Sequence, residues 1–260
     1  MGAAGNWEVS AVVRDAPAAL LAATEAAVDA TAHDGVPRLR WYRPTTTAVV
    51  RGRGQARTPL PRARVPVLDR LTGGGAVLLS NDLLSCDVIV PADHPLAADP
   101  MTTFDHVGGA WHNALTGLGV AGLTLHRGPA TAIHRGDARQ RLLAAVCFAT
   151  RARGEVLLGG AKLVGLAQRR RRSGVLVQCG LLRHWRPAAL LTARGADPDD
   201  PEVTTAAVGL HDAVSAPPGD AAIANAISAA LAGWRPGDAG PGAPDRPIEE
   251  ATVPSSEAQS

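Results

Sequence analysis

Lysine is nearly absent from this chain of 260 residues: among its 26 Lys and Arg residues, Lys162 is the only lysine. Biased base composition can replace lysine by arginine across a whole proteome, so the scarcity by itself has a simple cause. The two residues are close substitutes on a solvated surface, but not where a compact ammonium must contact an anion. The retained Lys162 is therefore a candidate functional residue.

Cysteine is also scarce, which excludes two classes of site. The three cysteines, Cys86, Cys147 and Cys179, are an odd number with no CxxC or Cys/His metal spacing. They do not form a disulfide framework, and reduced, buried thiols are the simplest expectation. The eight histidines are scattered, so we assign no metal site.

Long hydrophobic runs and strong net charge are missing as well. Asp, Glu, His or Pro interrupts each alanine-rich stretch, and residues 1–14 lack a basic start followed by an apolar block. These patterns predict no membrane span and no secretory signal, hence a cytoplasmic protein without a membrane partner. The net charge of +2 is too small to indicate a nucleic-acid partner by itself.

Periodicity predicts more strands than helices. Helices are expected over 17–32, 102–118, 187–191 and 219–233; strands are expected within 36–44 and 45–53, three more within 64–91, and others near 141–149, 155–167 and 174–182. The fold class is α+β, a mixed and largely antiparallel sheet flanked by helices. We expect one domain over residues 1–235 and a disordered tail, rich in Pro, Gly and acidic residues, over 236–260.

The segment "RLTGGGAV", residues 70–77, carries the strongest motif. Three consecutive glycines, Gly73, Gly74 and Gly75, let the backbone approach a ligand and can direct several N–H groups at an anion. Arg70 adds positive charge and Thr72 a hydroxyl. A glycine-rich hairpin turn is the alternative, and the residue order fits neither a P-loop nor a dinucleotide fingerprint.

The segment "GGAKLVGLAQRRRR", residues 159–172, contains the single lysine. Gly159 and Gly160 predict a turn, after which Lys162, Val164 and Leu166 share one strand face. A lysine on an apolar face is costly unless an anion meets it; the alternative is an edge strand whose lysine reaches water. The run 169–172 predicts a solvated loop, or a patch for an acidic partner or a phosphate tail.

Cys147, in "AVCFAT", is a candidate nucleophile. A thiol near a lysine can act as an acyl acceptor. A cysteine in an apolar strand is more often part of the core, so both interpretations stay open for Cys147.

With these motifs, the chain resembles the lipoate-protein ligase and octanoyltransferase family, related in fold to biotin protein ligases and class II aminoacyl-tRNA synthetases. The resemblance spans roughly residues 15–232 and rests on "DRLTGGGAV", "GAKLVGLAQ" and "RGRGQ". The chain departs from the family pattern at Asp69, where an arginine is usual, at Leu79 and Ser80, which replace His-Asp, and at Cys179, often a histidine.

The resemblance implies an enzyme that activates lipoate or octanoate with ATP and Mg²⁺ as an acyl-adenylate. The acyl group then passes to a lysine of a lipoyl domain, in an E2 subunit or a glycine-cleavage H protein. Lys162, Arg70 and the N–H groups of Gly74, Gly75 and Ala76 would stabilise charge on the phosphoryl oxygens. The acyl tail would lie against Val77, Leu78 and Val164, and Thr72, Gly73, Gly165 and Ala167 complete the binding set.

Other functions remain open at this point. Some octanoyltransferases of the family use a cysteine at the place of Cys147, which takes the acyl group from an acyl carrier protein as a thioester, without ATP. A binding protein that keeps the pocket but has lost catalysis is a further alternative. A nucleic-acid binder that depends on residues 169–172 is the least favoured.

Overall fold

A seven-stranded sheet forms the frame of the computed structural model, which describes residues 7–134 and 136–234. The strand order is β1-β2-β6-β10-β9-β8-β7; β1 and β2 are parallel, and every other neighbouring pair is antiparallel. These strands are β1 (Glu8–Asp15), β2 (Arg38–Pro44), β6 (Leu83–Pro91), β7 (Leu123–Leu125), β8 (Val156–Leu158), β9 (Ala161–Arg171) and β10 (Gly174–Leu182). The predicted α+β class is confirmed, and the tail predicted for 236–260 lies outside the described residues.

A smaller sheet carries the glycine segment. Strand β3 pairs in parallel with β4 and antiparallel with β5. The three strands are β3 (Ala48–Arg51), β4 (Val67–Asp69) and β5 (Val77–Leu79). Residues 70–76 therefore connect two strands of this sheet, as the sequence predicted.

Helices cover both faces of the large sheet. They are α1 (Pro17–Asp34), α2 (Pro100–Gly117), α3 (Ala138–Ala145), α4 (Ala188–Ala193), α5 (Pro201–Ala206), α6 (Leu210–Ala213) and α7 (Asp220–Gly233). Alternation along β6 explains the two layers: Ile89 packs with Val28 of α1, whereas Val88 belongs to the cluster that contains Trp111 of α2 and Ile227 of α7. None of the described helices is both long and apolar enough to span a bilayer.

The strand predicted near 141–149 is wrong, because α3 occupies most of it. Asp137 caps this helix: its carboxylate accepts hydrogen bonds from the N–H groups of Arg139 at 2.7 Å and Gln140 at 3.2 Å. The residues that follow, rich in Leu and Ala, favour helix. Cys147–Ala149 form a 3-10 turn after it, so Cys147 sits where the backbone changes direction and not in a core strand.

The loop predicted for the arginine run is also wrong. Arg169, Arg170 and Arg171 continue β9 and pair with Leu176, Val175 and Gly174 of β10. The ladder of the long β9–β10 hairpin continues through these residues despite their like charges. By contrast, the turn predicted at Gly159 and Gly160 is confirmed, with φ of 58° and 87°.

Candidate functional site

Arg70 folds the glycine loop onto itself. Its Nη2 donates to the carbonyl oxygens of Gly73 at 2.6 Å and Gly75 at 3.1 Å, and its Nε donates to that of Gly73 at 3.2 Å. With the carbonyl groups held by the guanidinium, the N–H groups of Gly74 and Gly75 make no hydrogen bond within residues 7–134 and 136–234. The loop thus offers two free donors beside a fixed cation.

Two close backbone approaches require glycine in and near this loop. A Cβ on Gly52 would stand 2.1 Å from the carbonyl oxygen of Gly74, and a Cβ on Gly75 would stand 2.6 Å from the backbone nitrogen of Cys147. Real Cβ atoms essentially never come so close to backbone atoms. The "RGRGQ" segment, the glycine loop and the Cys147 turn are therefore packed backbone to backbone.

Hydrogen bonds also tie the loop to the Cys147 turn. The Ala76 N–H donates to the Ala145 carbonyl at 2.8 Å, and the Cys147 N–H donates to the Ala76 carbonyl at 2.9 Å. The Ala76 N–H is thus already engaged, which differs from the expectation that it contacts a substrate. It serves instead to hold Cys147 against the loop.

Cys147 is the cysteine with access to solvent. Its side chain is half-buried, and the thiol Sγ lies 3.6 Å from Arg70 Nη2. The other two cysteines are buried: burial raises the pKa of the Cys179 thiol to about 12 and raises that of Cys86 as well. Of the three thiols, that of Cys147 is therefore the one within reach of a reactant.

A cavity opens beside Cys147. Its lining is mainly apolar, with a few polar groups: Leu21, Tyr42, Val50, Arg70, Val77, Leu79, Leu83, Ser85, Cys147, Phe148, Gly165, Leu166, Ala167, Gln178, Cys179 and Gly180. An apolar slot with a few convergent polar groups suits a small ligand that has a hydrocarbon part. Five predicted site residues belong to this lining: Arg70, Val77, Cys147, Gly165 and Ala167.

Other predicted site residues lie elsewhere. Leu78, which alternates with Val77 along β5, packs in a separate cluster, and Val164 faces the α2 side of the large sheet. Neither lines the cavity, so the expectation that they contact an acyl tail is not met. Thr72 is fully buried and donates its hydroxyl to Gln178 Oε1 at 2.7 Å, behind the lining.

Lys162 is 1% exposed. Its Nζ donates to Glu155 Oε1 and to the Cys147 carbonyl oxygen, both at 2.8 Å, and lies 5.5 Å from the centre of the Phe148 ring. Strand β9 has neighbours on both sides, which contradicts the alternative of an edge strand with a lysine in water. The anion expected beside the lysine is present within the chain.

Glu155 was missed by the sequence reasoning. Its other carboxylate oxygen accepts the Ala152 N–H at 2.7 Å, which anchors it to the preceding turn. Burial raises the pKa of Glu155, and the charge of Lys162 opposes that rise. A usable signal existed: a turn at Gly159 and Gly160 brings residue 155 back beside the strand that carries Lys162.

A second polar group, Asp87, was also missed. Its fully buried carboxylate accepts from Thr24 Oγ1 at 2.7 Å, Arg40 Nη1 at 2.7 Å, Tyr42 OH at 3.1 Å and Gln178 Nε2 at 3.3 Å. Burial raises the pKa of Asp87, and these donors oppose the rise. Since Tyr42 and Gln178 line the cavity, Asp87 fixes the orientation of part of its wall.

The departure at Asp69 has a structural explanation. Asp69 accepts two hydrogen bonds from Arg51, from Nε at 2.7 Å and from Nη2 at 2.9 Å. The pair joins β3 to β4, just before Arg70. The two residues that replace His-Asp of the family pattern lie in different surroundings: Leu79 lines the cavity, whereas Ser80 does not.

Substituting Gly75 by alanine is expected to distort the Cys147 turn, because the new methyl group would overlap the Cys147 backbone nitrogen. Such overpacking against backbone typically costs about 1–3 kcal/mol. Gly73→Ala is the matched control, since a Cβ there meets nothing within 4 Å. Urea unfolding checks the prediction: equal midpoints for the two variants would contradict it.

Comparisons with known proteins agree with the motifs. The sequence model of one protein family, the lipoyl protein ligase A/B catalytic domain, matches residues 16–196. No curated protein matches the chain significantly in sequence.

In the described residues, no group of three or more His, Cys, Asp or Glu residues could hold a metal ion.

Several solved structures share the fold at low identity. Lipoate-protein ligase A bound with ATP is 20% identical, with a TM-score of 0.63 over 88% of this chain and 84% of that chain. Ta0514 from T. acidophilum with bound lipoic acid is 19% identical, with a TM-score of 0.60 over 88% and 85%. The bi-partite ligase from Thermoplasma acidophilum, described with its E2 lipoyl domain, is 19% identical, with a TM-score of 0.59 over 88% and 82%.

Proposed function

Because the chain belongs to the lipoyl protein ligase A/B catalytic domain family, we propose that it is an enzyme that joins an octanoyl or lipoyl group to a lysine of a lipoyl domain. Structural neighbours carry lipoic acid or are described with an E2 lipoyl domain. An apolar cavity with a reactive group at its wall supports the same substrate class. An E2 subunit or a glycine-cleavage H protein would be the acceptor.

One observation favours a thioester route: Cys147 lines the cavity, and its thiol lies 3.6 Å from Arg70 Nη2. The ammonium of Lys162, in contrast, is buried and does not line the cavity. A nucleophile must reach the reacting carbon, and the Cys147 thiol meets that condition in the present geometry. The route without ATP, which the sequence placed second, is therefore the one this geometry supports best.

In the first step, Cys147 Sγ attacks the carbonyl carbon of an octanoyl thioester on an acyl carrier protein. A new C–S bond forms, the bond to the carrier's sulfur breaks, and the carrier's thiol leaves with the proton that Cys147 gave up. Negative charge develops on the carbonyl oxygen in between. The N–H groups of Gly74 and Gly75 would receive it; the position of the loop beside the thiol, where a Cβ on Gly74 would lie 3.8 Å from Cys147 Sγ, supports this role.

In the second step, the amine of the acceptor lysine attacks the carbonyl carbon of the Cys147 thioester. The amide bond forms, the C–S bond breaks, and the proton lost by the amine returns to the Cys147 thiol. Lys162 acts here as a positioning residue: its ammonium holds the Cys147 carbonyl while Glu155 holds the ammonium. A nucleophile fixed at both its N–H and its carbonyl needs little rearrangement to react.

ATP-dependent ligation is the second candidate. Two free N–H groups beside a guanidinium suit the phosphoryl oxygens of an acyl-adenylate, and one structural neighbour carries ATP. In this scheme Arg70, Gly74 and Gly75 would contact the α-phosphate, with Mg²⁺ neutralising the triphosphate. Lys162 would have to exchange Glu155 for the substrate.

A donor comparison distinguishes the schemes. The purified chain is incubated with a lipoyl domain and either octanoyl carrier protein without ATP, or octanoate with ATP and Mg²⁺. We expect the mass of an octanoyl group on the lipoyl-domain lysine with the carrier protein alone. Modification only with octanoate and ATP would overturn the thioester route, and no modification with either donor or with lipoate would leave a binding protein that has lost catalysis.

A further inference from the structure

Strand geometry divides the arginine run between two surfaces. Successive side chains of a strand point to opposite faces, so Arg169 and Arg171 share one face of β9 and Arg170 points to the other. Arg170 donates to the carbonyl oxygen of Ala97, on the α2 side. Arg169 and Arg171 instead line a second cavity with residues of α1, Val28 and Thr31.

This second cavity follows the first one along β9. Ala167 lines the first cavity, and Arg169 and Arg171 line the second. With a rise of about 3.3 Å per residue, the two arginines stand about 7 Å and about 13 Å beyond Ala167. The two arginines therefore lie beyond the first cavity on the same face of β9.

Arg53 adds a third positive charge at the same place. The backbone N–H of Arg53 donates to the Thr72 carbonyl at 2.9 Å, while the side-chain Nη1 of Arg169 donates to the neighbouring Leu71 carbonyl at 3.2 Å. Burial lowers the pKa of Arg169, and the charges of Arg171 and Arg53 lower it further, whereas Glu25 opposes them. Arg169 therefore lies within range of two like charges, immediately before the glycine loop.

No ion pair compensates this cluster within the described residues: Arg53, Arg169 and Arg171 have no carboxylate within 4.0 Å. Arg53 and Arg171 are exposed. Self-repulsion without an internal partner is unfavourable for the free protein, and an acidic surface relieves it. The cluster has the charge, the exposure and the position of a docking surface.

We propose that Arg53, Arg169 and Arg171 form the docking surface for the acidic carrier protein that delivers the acyl chain to the cavity. This proposal rests on the proposed function, in which the donor is a carrier thioester. The surface acts on encounter and orientation: it holds the carrier where its acyl chain reaches Cys147. It does not take part in bond making.

The test compares two single substitutions that each remove one positive charge. Arg171→Gln lies on the docking face, and Arg170→Gln lies on the opposite face. Thioester formation on Cys147 is followed by intact mass, with octanoyl carrier protein and with octanoyl-pantetheine, which is small and uncharged. We expect Arg171→Gln to raise the KM for the carrier about fivefold, as for one exposed charge pair, with kcat unchanged. Arg170→Gln stays within about twofold for both donors.

Salt provides a second readout, because screening weakens contacts between exposed charges. The KM of the unmodified protein for the carrier protein is expected to rise steeply with salt concentration. The KM of Arg53→Gln/Arg171→Gln should rise less steeply. Equal effects of Arg170→Gln and Arg171→Gln would overturn the proposal. So would a defect confined to the second step, with the lipoyl domain, because the surface would then serve the acceptor.

Direct binding separates this proposal from the proposed function. Anisotropy of a fluorescently labelled carrier protein measures its Kd without any reaction. If Arg53→Gln/Arg171→Gln weakens carrier binding but no thioester forms on Cys147, the docking surface is supported and the thioester route is rejected. If the thioester forms but the Kd is the same in Arg53→Gln/Arg171→Gln, the thioester route is supported and the docking surface is rejected.

Discussion

Cys147→Ser is expected to abolish octanoyl transfer from a carrier protein, lowering kcat by about a thousandfold or more. A hydroxyl is a far weaker nucleophile than a thiolate, and no histidine lies in the cavity lining to activate it. The fold should survive, because Cys147 is held through its backbone N–H and carbonyl rather than its side chain. Appearance of the octanoyl mass on the lipoyl domain measures the effect.

The matched control is Cys86→Ala, which removes a buried thiol that does not line the cavity. This variant should retain transfer if it remains folded, as judged by urea unfolding. Undiminished transfer from the carrier in Cys147→Ser would contradict the thioester route. Loss of carrier-dependent transfer with retained ATP-dependent ligation would show that the chain has both activities and that only the transfer needs the Cys147 thiol.

Lys162→Met is expected to destabilise the protein by about 3–5 kcal/mol, the cost of leaving one member of a buried ion pair alone. The two side chains are 1% and 3% exposed, so water cannot replace the missing partner. The Cys147 carbonyl loses its donor as well. The free energy of unfolding in urea measures this loss of stability. Octanoyl transfer should also fall, because the Cys147 turn is no longer held by the ammonium.

Glu155→Gln in the Lys162→Met background provides the control, since it removes the unpaired charge. We expect it to restore part of the lost stability, with a coupling energy that a double-mutant cycle reports. Lys162→Arg tests shape at constant charge: a planar guanidinium does not fit where a compact ammonium joins Glu155 to the Cys147 carbonyl, so transfer should drop. Near-normal transfer in Lys162→Arg would show that a compact ammonium is not required at this position.

Much of the fold was predictable because its signals are local. Alternation in β6 and β10, and helical spacing in α1, α2 and α7, follow directly from the sequence. The strand predicted near 141–149 failed because an apolar run of that length suits helix and strand alike, and the cap at Asp137 decided between them.

The motifs of the site were predictable from the sequence, whereas most of the residues that pair with them were not. The glycine loop, Lys162 and Cys147 are visible as residue types in a pattern. The pairing of Lys162 with Glu155 depends on the hairpin register, and the use of the Ala76 N–H by Ala145 depends on tertiary packing. Asp87 gave no local signal, because its donors come from α1, β2 and β10.

The exclusion of Leu78 and Val164 from the cavity has the same origin. Both are apolar residues beside a motif, and each stands one residue away from the alternation that faces the slot. Composition indicates that a strand is buried, but the assignment of its two faces needs the neighbouring elements.

The arginine run is more tolerant of substitution than of insertion. The four consecutive arginines suggest that the position of each one matters little. A single residue inserted between Gly165 and Arg169 would nevertheless move every following side chain of the strand to the opposite face. The composition would hardly change, while Arg170 would take the place of Arg171 beside α1. Related chains that keep the basic run but differ in its spacing from the lysine would therefore present a different surface, which can be read from their sequences alone.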